Sequence, residues 1–389
     1  MYRIGKEEVA AAERVIMNGN LFRINTDLRE VLQFEKELAQ KLGVGYSLYV
    51  TSGTSALVSI LGALGIGPGD EVIVPTYTFI ASPNAVLSVG AIPVVAEVDE
   101  ALTMDPEDVK RKITDRTKAI MPVHLCGFPC DMDAIMKIAK EHNLYVIEDA
   151  CQADGASYKG KRLGTIGNAG ALSFNYFKII SAGEGGAVVT DDLELYEKAL
   201  IYHDVGSSYW SYERELAYPF FVGSQFRGCE IMGAIMRVQL TRLDGIIAEL
   251  RGLKKLFNDT IRSSTNLVPA PSHDAEGDLG TTWPLRFGSE KQARAFAEAL
   301  GGCTIPYDVN RHVFIHWKPI LDKKVTNNPY MNPYNMERNQ NRKFDITPDS
   351  GPQSLDYLAR TVYVPYSIDF SEADVKALVG RCAKAAKNI

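Results

Sequence analysis

The alternation of short apolar runs with helical patterns is the feature that most limits how this chain can fold. Strand-like runs occur at residues 47–50, 71–75, 92–98, 119–123, 144–148 and 186–190. Stretches with apolar residues at helical spacing lie between them, such as residues 130–142. Strands that alternate with helices favour an α/β fold with a mainly parallel, buried sheet, whose ligands bind at the carboxyl ends of the strands.

The length of the chain predicts two domains, because 389 residues exceed one ordinary hydrophobic core. We expect a large domain over residues 1–250, with N-terminal helices over residues 4–42. A smaller α+β domain is expected over residues 251–389. The change from one to the other is predicted within a helical stretch at about residues 228–256.

Charge and cysteine content exclude several classes of protein. The formal net charge is −6, from 42 basic and 48 acidic residues, which argues against a nucleic-acid surface. No apolar segment is long enough to span a bilayer, and the charged N-terminus lacks the apolar centre of a signal peptide. The six cysteines are scattered, so free thiols in a cytoplasmic protein are expected, with disulfides as the alternative.

A run of small and hydroxyl residues follows the first strand candidate. It reads TSGTS over residues 51–55 and leads into an apolar helical pattern. A helix N-terminus exposes backbone N–H groups and carries partial positive charge, so this run predicts an anion site with phosphate as the expected guest. An ordinary N-cap, which needs only one of these hydroxyls, is the alternative.

An acidic residue, Asp149, ends a buried strand candidate over residues 146–149. A carboxylate in such a place is costly unless it meets a cation, and a protonated pyridine nitrogen is one such partner. The alternative interpretation is a helix cap.

Lys178 lies among apolar and aromatic residues in the segment SFNYFK, before the glycine-rich sequence GEGG over residues 183–186. Burial disfavours the charged form of a lysine, and a neutral amine attacks an aldehyde to form an imine. The pattern therefore predicts a reactive lysine. The alternative is a lysine that extends to water, and the neighbouring Phe174, Tyr176 and Phe177 count against it.

Taken in order, these segments resemble the DegT/DnrJ/StrS family of aminotransferases, which depend on pyridoxal phosphate (PLP). The matching segments are TSGTSAL, GDEVIVPTYTF, GAIPVVAEVD, TKAIMPVHLCG, VIEDACQADGA and SFNYFKIISAGEGGAVVTDD. They cover most of residues 1–250, and the similarity is looser towards the C-terminus. The resemblance implies the PLP-dependent transferase fold type I and a homodimer with shared active sites.

The resemblance also implies a role for each matching residue. Lys178 matches the lysine that holds PLP as a Schiff base, and Asp149 matches the carboxylate on the pyridine nitrogen. The other matches are Gly53, Thr54 and Ser173 at the phosphate, Phe79 stacked on the ring, Gln152 near the phenolic oxygen and Glu184 near the active-site entrance.

One segment departs from the family pattern. The family usually has G-x-N-x-R where a partner subunit helps to bind the phosphate, and this chain has GSQFR over residues 223–227. Gln225 offers the same amide one methylene further out, so the contact is less secure. Arg227 keeps its place, and we include it among the substrate candidates.

By the same resemblance, the chain is predicted to move an amino group from L-glutamate to a keto- or aldehydo-sugar by a ping-pong mechanism. A nucleotide-linked sugar, a sugar acid and a cyclitol are all candidate acceptors. The rival functions are a PLP-dependent sugar dehydratase, which has His in place of the lysine, and a non-catalytic regulator. A dinucleotide-binding oxidoreductase is excluded because no G-x-G-x-x-G follows the first strand.

The C-terminal part supplies further substrate candidates. His312, His316 and Trp317 precede a long stretch rich in Asn, Pro and Tyr over residues 323–353. Hydroxyl-rich substrates suit such side chains, although a plain surface loop explains the stretch equally well. No metal site is expected, because no third ligand accompanies the two histidines.

Overall fold

The computed structural model describes residues 2–23, 27–206 and 216–388. The strands are β1 (Tyr46–Val50), β2 (Glu71–Pro75), β3 (Ile92–Ala96), β4 (Thr117–Ile120), β5 (Tyr145–Asp149), β6 (Ser157–Tyr158), β7 (Lys161–Arg162), β8 (Ala169–Ser173), β9 (Gly186–Thr190), β10 (Val268–Pro269), β11 (Trp283–Arg286) and β12 (Thr361–Val364). The helices are α1 (Lys6–Asn18), α2 (Glu30–Leu42), α3 (Gly53–Ala63), α4 (Ala81–Ser88), α5 (Pro106–Lys112), α6 (Met132–His142), α7 (Leu193–His203), α8 (Glu230–Ser264), α9 (Glu290–Leu300), α10 (Lys318–Leu321), α11 (Pro352–Ala359) and α12 (Glu372–Ala385).

Seven strands form the central sheet in the order β1-β9-β8-β5-β4-β2-β3. The neighbours from β8 to β3 are all parallel, and only β9 runs against both of its neighbours. The predicted α/β fold with a mainly parallel sheet is confirmed. The single antiparallel strand was not predicted, because an apolar run of five residues carries no sign of its direction.

Both faces of the central sheet are buried. Within β2, Val72 and Val74 contribute to one apolar core, together with α3, α4 and α7. Ile73 points to the opposite core, which contains α2, α6 and much of α8. Because successive side chains of a strand face opposite sides, burial on both sides requires a continuous apolar run, and this is how β2 reads in the sequence.

A second, antiparallel sheet in the order β10-β11-β12 lies in the C-terminal part of the chain. Its core contains Trp283, residues of α9 and α12, and Phe257 and Ile261 at the end of α8. The 35 residues of α8 extend beyond the predicted end at residue 256, and residue 250, the predicted domain boundary, lies inside this helix. Within the residues that the structure describes, no helix is both long and apolar enough to cross a bilayer.

The stretch predicted as a long loop contains three short 3₁₀ turns, and its asparagines hold the turns in place. Asn328 and Asn332 each accept a hydrogen bond from the backbone two residues later (3.0 and 3.1 Å). Asn339 accepts from the Gly69 N–H (2.6 Å) and donates to the Gly90 carbonyl (2.9 Å). These contacts place the turns at the amino ends of β2 and β3. The asparagines therefore stabilise the turns and attach them to the segments that precede these strands.

Glu148 anchors the loop that precedes β8. This fully buried carboxylate accepts hydrogen bonds from the backbone N–H groups of Gly164 (2.8 Å), Ile166 (2.6 Å) and Gly167 (2.7 Å). His124 Nε2 lies 3.1 Å away and donates the fourth, because its Nδ1 accepts from a backbone N–H. The two carboxylate oxygens of Glu148 accept all four of these hydrogen bonds.

We predict that Glu148→Gln lowers the free energy of unfolding by about 2–4 kcal/mol, because an amide group then faces buried donors that need an acceptor. Urea denaturation monitored by circular dichroism measures this change. Glu107→Gln, which alters an exposed carboxylate on α5, is the control and is expected to change stability by less than about 0.5 kcal/mol. Equal effects of the two variants would contradict the role of Glu148.

Candidate active site

The carboxyl ends of the parallel strands meet at one edge of the central sheet. Asp149 ends β5, Ser173 ends β8, and Phe79 follows β2. A cavity of about 440 Å³ lies at this edge, and its walls include four of the predicted residues: Phe79, Gln152, Lys178 and His312. The structure thus brings together side chains that are up to 233 positions apart in the sequence, from 79 to 312.

A tight turn after β8 presents Lys178 to the cavity. Asn175 holds the turn: its Oδ1 atom accepts from the Phe177 N–H (3.0 Å), and its carbonyl accepts from the Lys178 N–H (3.0 Å). The glycine-rich segment that follows lies close to the core. At Gly185, φ is +147°, and a Cβ atom there would overlap the Tyr49 hydroxyl, which explains the glycine.

The Asp149 carboxylate is buried beside the cavity with neutral donors only. One oxygen accepts from Ser82 Oγ (2.7 Å) and the other from the Cys151 N–H (3.2 Å). Across residues 2–23, 27–206 and 216–388, no Lys, Arg or His side chain forms an ion pair with it. Among the described residues this buried carboxylate therefore has no ion-pair partner, and a cationic ring nitrogen is a group that fits this position.

The N-terminus of α3 lies against the ends of β5 and β8. Ser52 caps this helix by accepting a hydrogen bond from the Ser55 N–H (3.0 Å). A Cβ atom at Gly53 would come 3.0 Å from Ser173 Cβ and still closer to Cys151 Sγ. Gly53 and Ser173 are thus neighbours at a positively polarised helix end, as a phosphate site requires, and Thr54 is exposed there.

The far wall of the cavity comes from the C-terminal part of the chain. The carbonyl of His312 accepts from the Thr78 N–H (2.8 Å), and its ring lies 5.3 Å from that of Phe79. Its Nε2 atom is 3.4 Å from the side-chain nitrogen of Gln152. Burial lowers the pKa of His312 below its ordinary value, and the charge of Lys178 lowers it further, so this ring is neutral at physiological pH.

Like Asp149, Gly53, Thr54 and Ser173, five other predicted site residues lie outside the lining of this cavity: Glu184, Gln225, Arg227, His316 and Trp317. Arg227 forms a salt bridge with the buried carboxylate of Asp204. Trp317 is fully buried, and its indole N–H donates to the Arg311 carbonyl (3.2 Å), so its ring supports the cavity wall and is not exposed for stacking on a ligand. Across the described parts of the chain, no group of three or more His, Cys, Asp or Glu side chains is arranged to hold a metal ion.

Nine residues of the lining were not predicted as site residues: Cys126, Asp154, Asn175, Phe177, Ile179, Leu279, Thr281, Thr282 and Arg311. Asp154 follows Asp149 by five positions, so a second acid after the same strand was the available signal. The sequence around the two threonines does not indicate a functional site. They reach the site because Thr281 Oγ1 donates to the Cys126 carbonyl (2.8 Å), a contact between distant parts of the chain.

Comparison with known proteins identifies the family. A sequence model of the DegT/DnrJ/EryC1/StrS aminotransferase family matches residues 3–382. The chain belongs to this family. It is therefore a PLP-dependent aminotransferase, and the expected family, enzyme class and cofactor are confirmed.

Named relatives match most of the chain. The spore coat polysaccharide biosynthesis protein SpsC of Bacillus subtilis is 31% identical over 386 residues, which cover 97% of this chain and 93% of the relative. GDP-perosamine synthase of Escherichia coli is 42% identical over 306 residues, covering 77% and 80%. The crystal structure of an aminotransferase from Psychrobacter cryohalolentis superposes with a TM-score of 0.81 at 30% identity and covers 100% and 98% of the two chains, which confirms the expected fold.

We predict that Gly53→Ala raises the Kd for PLP at least about tenfold, or about 1.4 kcal/mol, because the added methyl group displaces Cys151 and Ser173. Titration of the cofactor-free protein by absorbance measures the affinity. Adding Cys151→Ala to the variant is expected to restore most of the loss, because it removes the overlapping sulfur.

Gly245→Ala is the control for that variant, since nothing lies within 4 Å of the added Cβ on α8. Unchanged affinity in Gly53→Ala would show that the N-terminus of α3 is not part of the cofactor site.

Proposed function

We propose that this enzyme transfers an amino group from L-glutamate to the carbonyl carbon of a keto- or aldehydo-sugar, with Lys178 as the residue that holds PLP. The proposal rests on the buried carboxylate of Asp149, which has no ion-pair partner among the described residues and lies at the same edge of the sheet as Lys178. The sugar acceptor is supported by relatives named as GDP-perosamine synthase and as a transaminase of a dTDP-linked amino sugar.

When bound, PLP supplies an aldehyde that takes up the amine and a ring that withdraws electrons from the substrate carbon. The Nζ atom of Lys178 would hold the cofactor, and as a free amine it would carry a proton to or from the substrate carbon. Asp149 would keep a proton on the ring nitrogen, and Phe79 would contact the ring. The amide of Gln152 and the neutral ring of His312 lie on the opposite side of the cavity, where they would orient oxygen atoms of the bound ligand.

We infer that the enzyme acts as a homodimer whose subunits share the active sites. Phe177 lines the cavity although 74% of it is exposed, and Tyr176 beside it is 64% exposed. Val222, next to the segment that carries Gln225, is 90% exposed. Exposed apolar residues at the cavity and beside Gln225 support a partner that covers both and brings Gln225 to the neighbouring site. Six free cysteines support a cytoplasmic location.

The test of the proposed function is the reaction with L-glutamate alone. We expect glutamate to shift the visible absorbance of the PLP-loaded protein to shorter wavelength and to release stoichiometric 2-oxoglutarate. Lys178→Ala is expected to lose the visible band and to slow the release by at least about 100-fold, because the base is missing. Lys159→Ala, which removes a surface lysine paired with Asp133, is the control.

An unchanged spectrum of the wild-type protein with glutamate would contradict the donor assignment. It would favour the dehydratase or the non-catalytic alternative.

Arg311 supports an acceptor that carries negative charge. Its side chain lines the mouth of the cavity and has no hydrogen-bond or ion-pair partner among the described residues. Its backbone is held at φ +68°, a strained value for a residue other than glycine, by hydrogen bonds from Ile80 and Trp317 to its carbonyl. The guanidinium group suits a carboxylate or phosphate of the acceptor.

We predict that Arg311→Gln raises the KM for an anionic sugar acceptor by at least about tenfold, because one charge-assisted hydrogen bond of about 1.5–3 kcal/mol is lost. The half-reaction with glutamate is expected to stay within about twofold of the wild-type rate. Single-turnover absorbance measurements on each half-reaction separate the two effects.

Arg262→Gln on the exposed side of α8 is the control for Arg311→Gln. An equal loss in both half-reactions would contradict the assignment of Arg311 to the acceptor.

A further inference from the structure

Asp154 is a buried acid that the proposed chemistry leaves without a role. It is 3% exposed, lies in the lining of the same cavity as Lys178, and follows the end of β5 by five residues. Its Oδ1 atom is buried and has no hydrogen-bond partner within the described residues. Buried polar atoms without a partner are costly and rare, so an unused acceptor in an active-site cavity calls for a ligand or a mobile side chain that reaches it.

The groups around Asp154 identify that partner. Burial raises the pKa of Asp154 well above its ordinary value, the charge of Lys178 and the Ser173 N–H oppose this, and Asp149 adds to it. Burial also raises the pKa of the Cys151 thiol well above its ordinary value, so this neighbour stays neutral. Lys178, which lines the same cavity, is therefore the cationic side chain whose charge acts on this carboxyl group.

We propose that Asp154 is a positioning residue for Lys178. Resting on the proposed function, this means that Oδ1 accepts a hydrogen bond from Nζ whenever the lysine is released from the cofactor. When Nζ takes a proton from the substrate carbon it becomes an ammonium group, and the carboxylate balances its charge until the proton returns to carbon. No other bond of either residue changes.

A hydrogen bond from Lys178 to Asp154 would meet a geometric requirement of the reaction. The lysine side chain has a flexible four-carbon stem, and its amino group must stay beside the reacting carbon after each displacement. A hydrogen bond to a rigid, buried acceptor restricts that freedom. A nearby carboxylate favours the charged form of an amine, so replacing Asp154 by a neutral residue changes the pH at which the amine reacts.

The test uses cofactor-free protein and does not depend on turnover. We mix it with PLP in a stopped-flow instrument and follow the growth of the visible band as a function of pH, because only the neutral amine attacks the aldehyde. In Asp154→Asn the amine loses its proton at lower pH, so the midpoint of the profile is expected to fall by about one unit or more. Asp154→Glu keeps the carboxyl group and is expected to return the midpoint towards that of the wild type.

Asp108→Asn, which alters an equally buried carboxylate on α5 outside the cavity, controls for loss of stability and is expected to keep the wild-type midpoint. A wild-type midpoint in Asp154→Asn overturns this inference and leaves the proposed function standing. Absence of the visible band in the wild-type protein overturns the assignment of Lys178 itself, so the two failures are distinguishable.

Discussion

Two adjacent carboxylates at the end of β5 set the constraint on which the active site depends. Glu148 and Asp149 lie on opposite faces of a buried strand, and a buried carboxylate needs compensation. Glu148 finds it inside the protein, in one hydrogen bond from His124 and three that fix the loop before β8. Asp149 accepts hydrogen bonds from Ser82 Oγ and the Cys151 N–H and has no ion-pair partner among the described residues. This lack of a cationic partner is what suits a cationic cofactor ring.

The two parts of the chain contribute different components of the site. The central sheet and the segments that follow its strands position Asp149, Ser173, Lys178 and the N-terminus of α3, which are the residues proposed to hold the cofactor. The C-terminal part supplies Arg311 and His312 through backbone hydrogen bonds to the segment that carries Phe79. Relatives are named for different products, and a wall built by a separate part of the chain can change while the residues proposed for the cofactor stay the same.

Local sequence signals predicted the central sheet better than the cavity wall. The bounds of β2 and β9 agree with the sequence because each is a compact apolar run between turn residues. The predicted end of β4 was too late, since Pro122 has no N–H group to continue the ladder. Arg311 and Thr281 could not be predicted, because only contacts between distant segments bring them to Lys178. Trp317 is the opposite case. The sequence predicts an aromatic ring available to substrate in a polar segment, whereas this ring is fully buried in the core.

The central claim is that Lys178 is the residue to which PLP is attached. The most direct test is reduction of the PLP-loaded protein with borohydride, followed by trypsin digestion and mass spectrometry. A label on Lys178 blocks cleavage there, so the account predicts one modified peptide that spans residues 163–198. A phosphopyridoxyl group on a different lysine, with residues 163–178 recovered as an unmodified peptide, would contradict it.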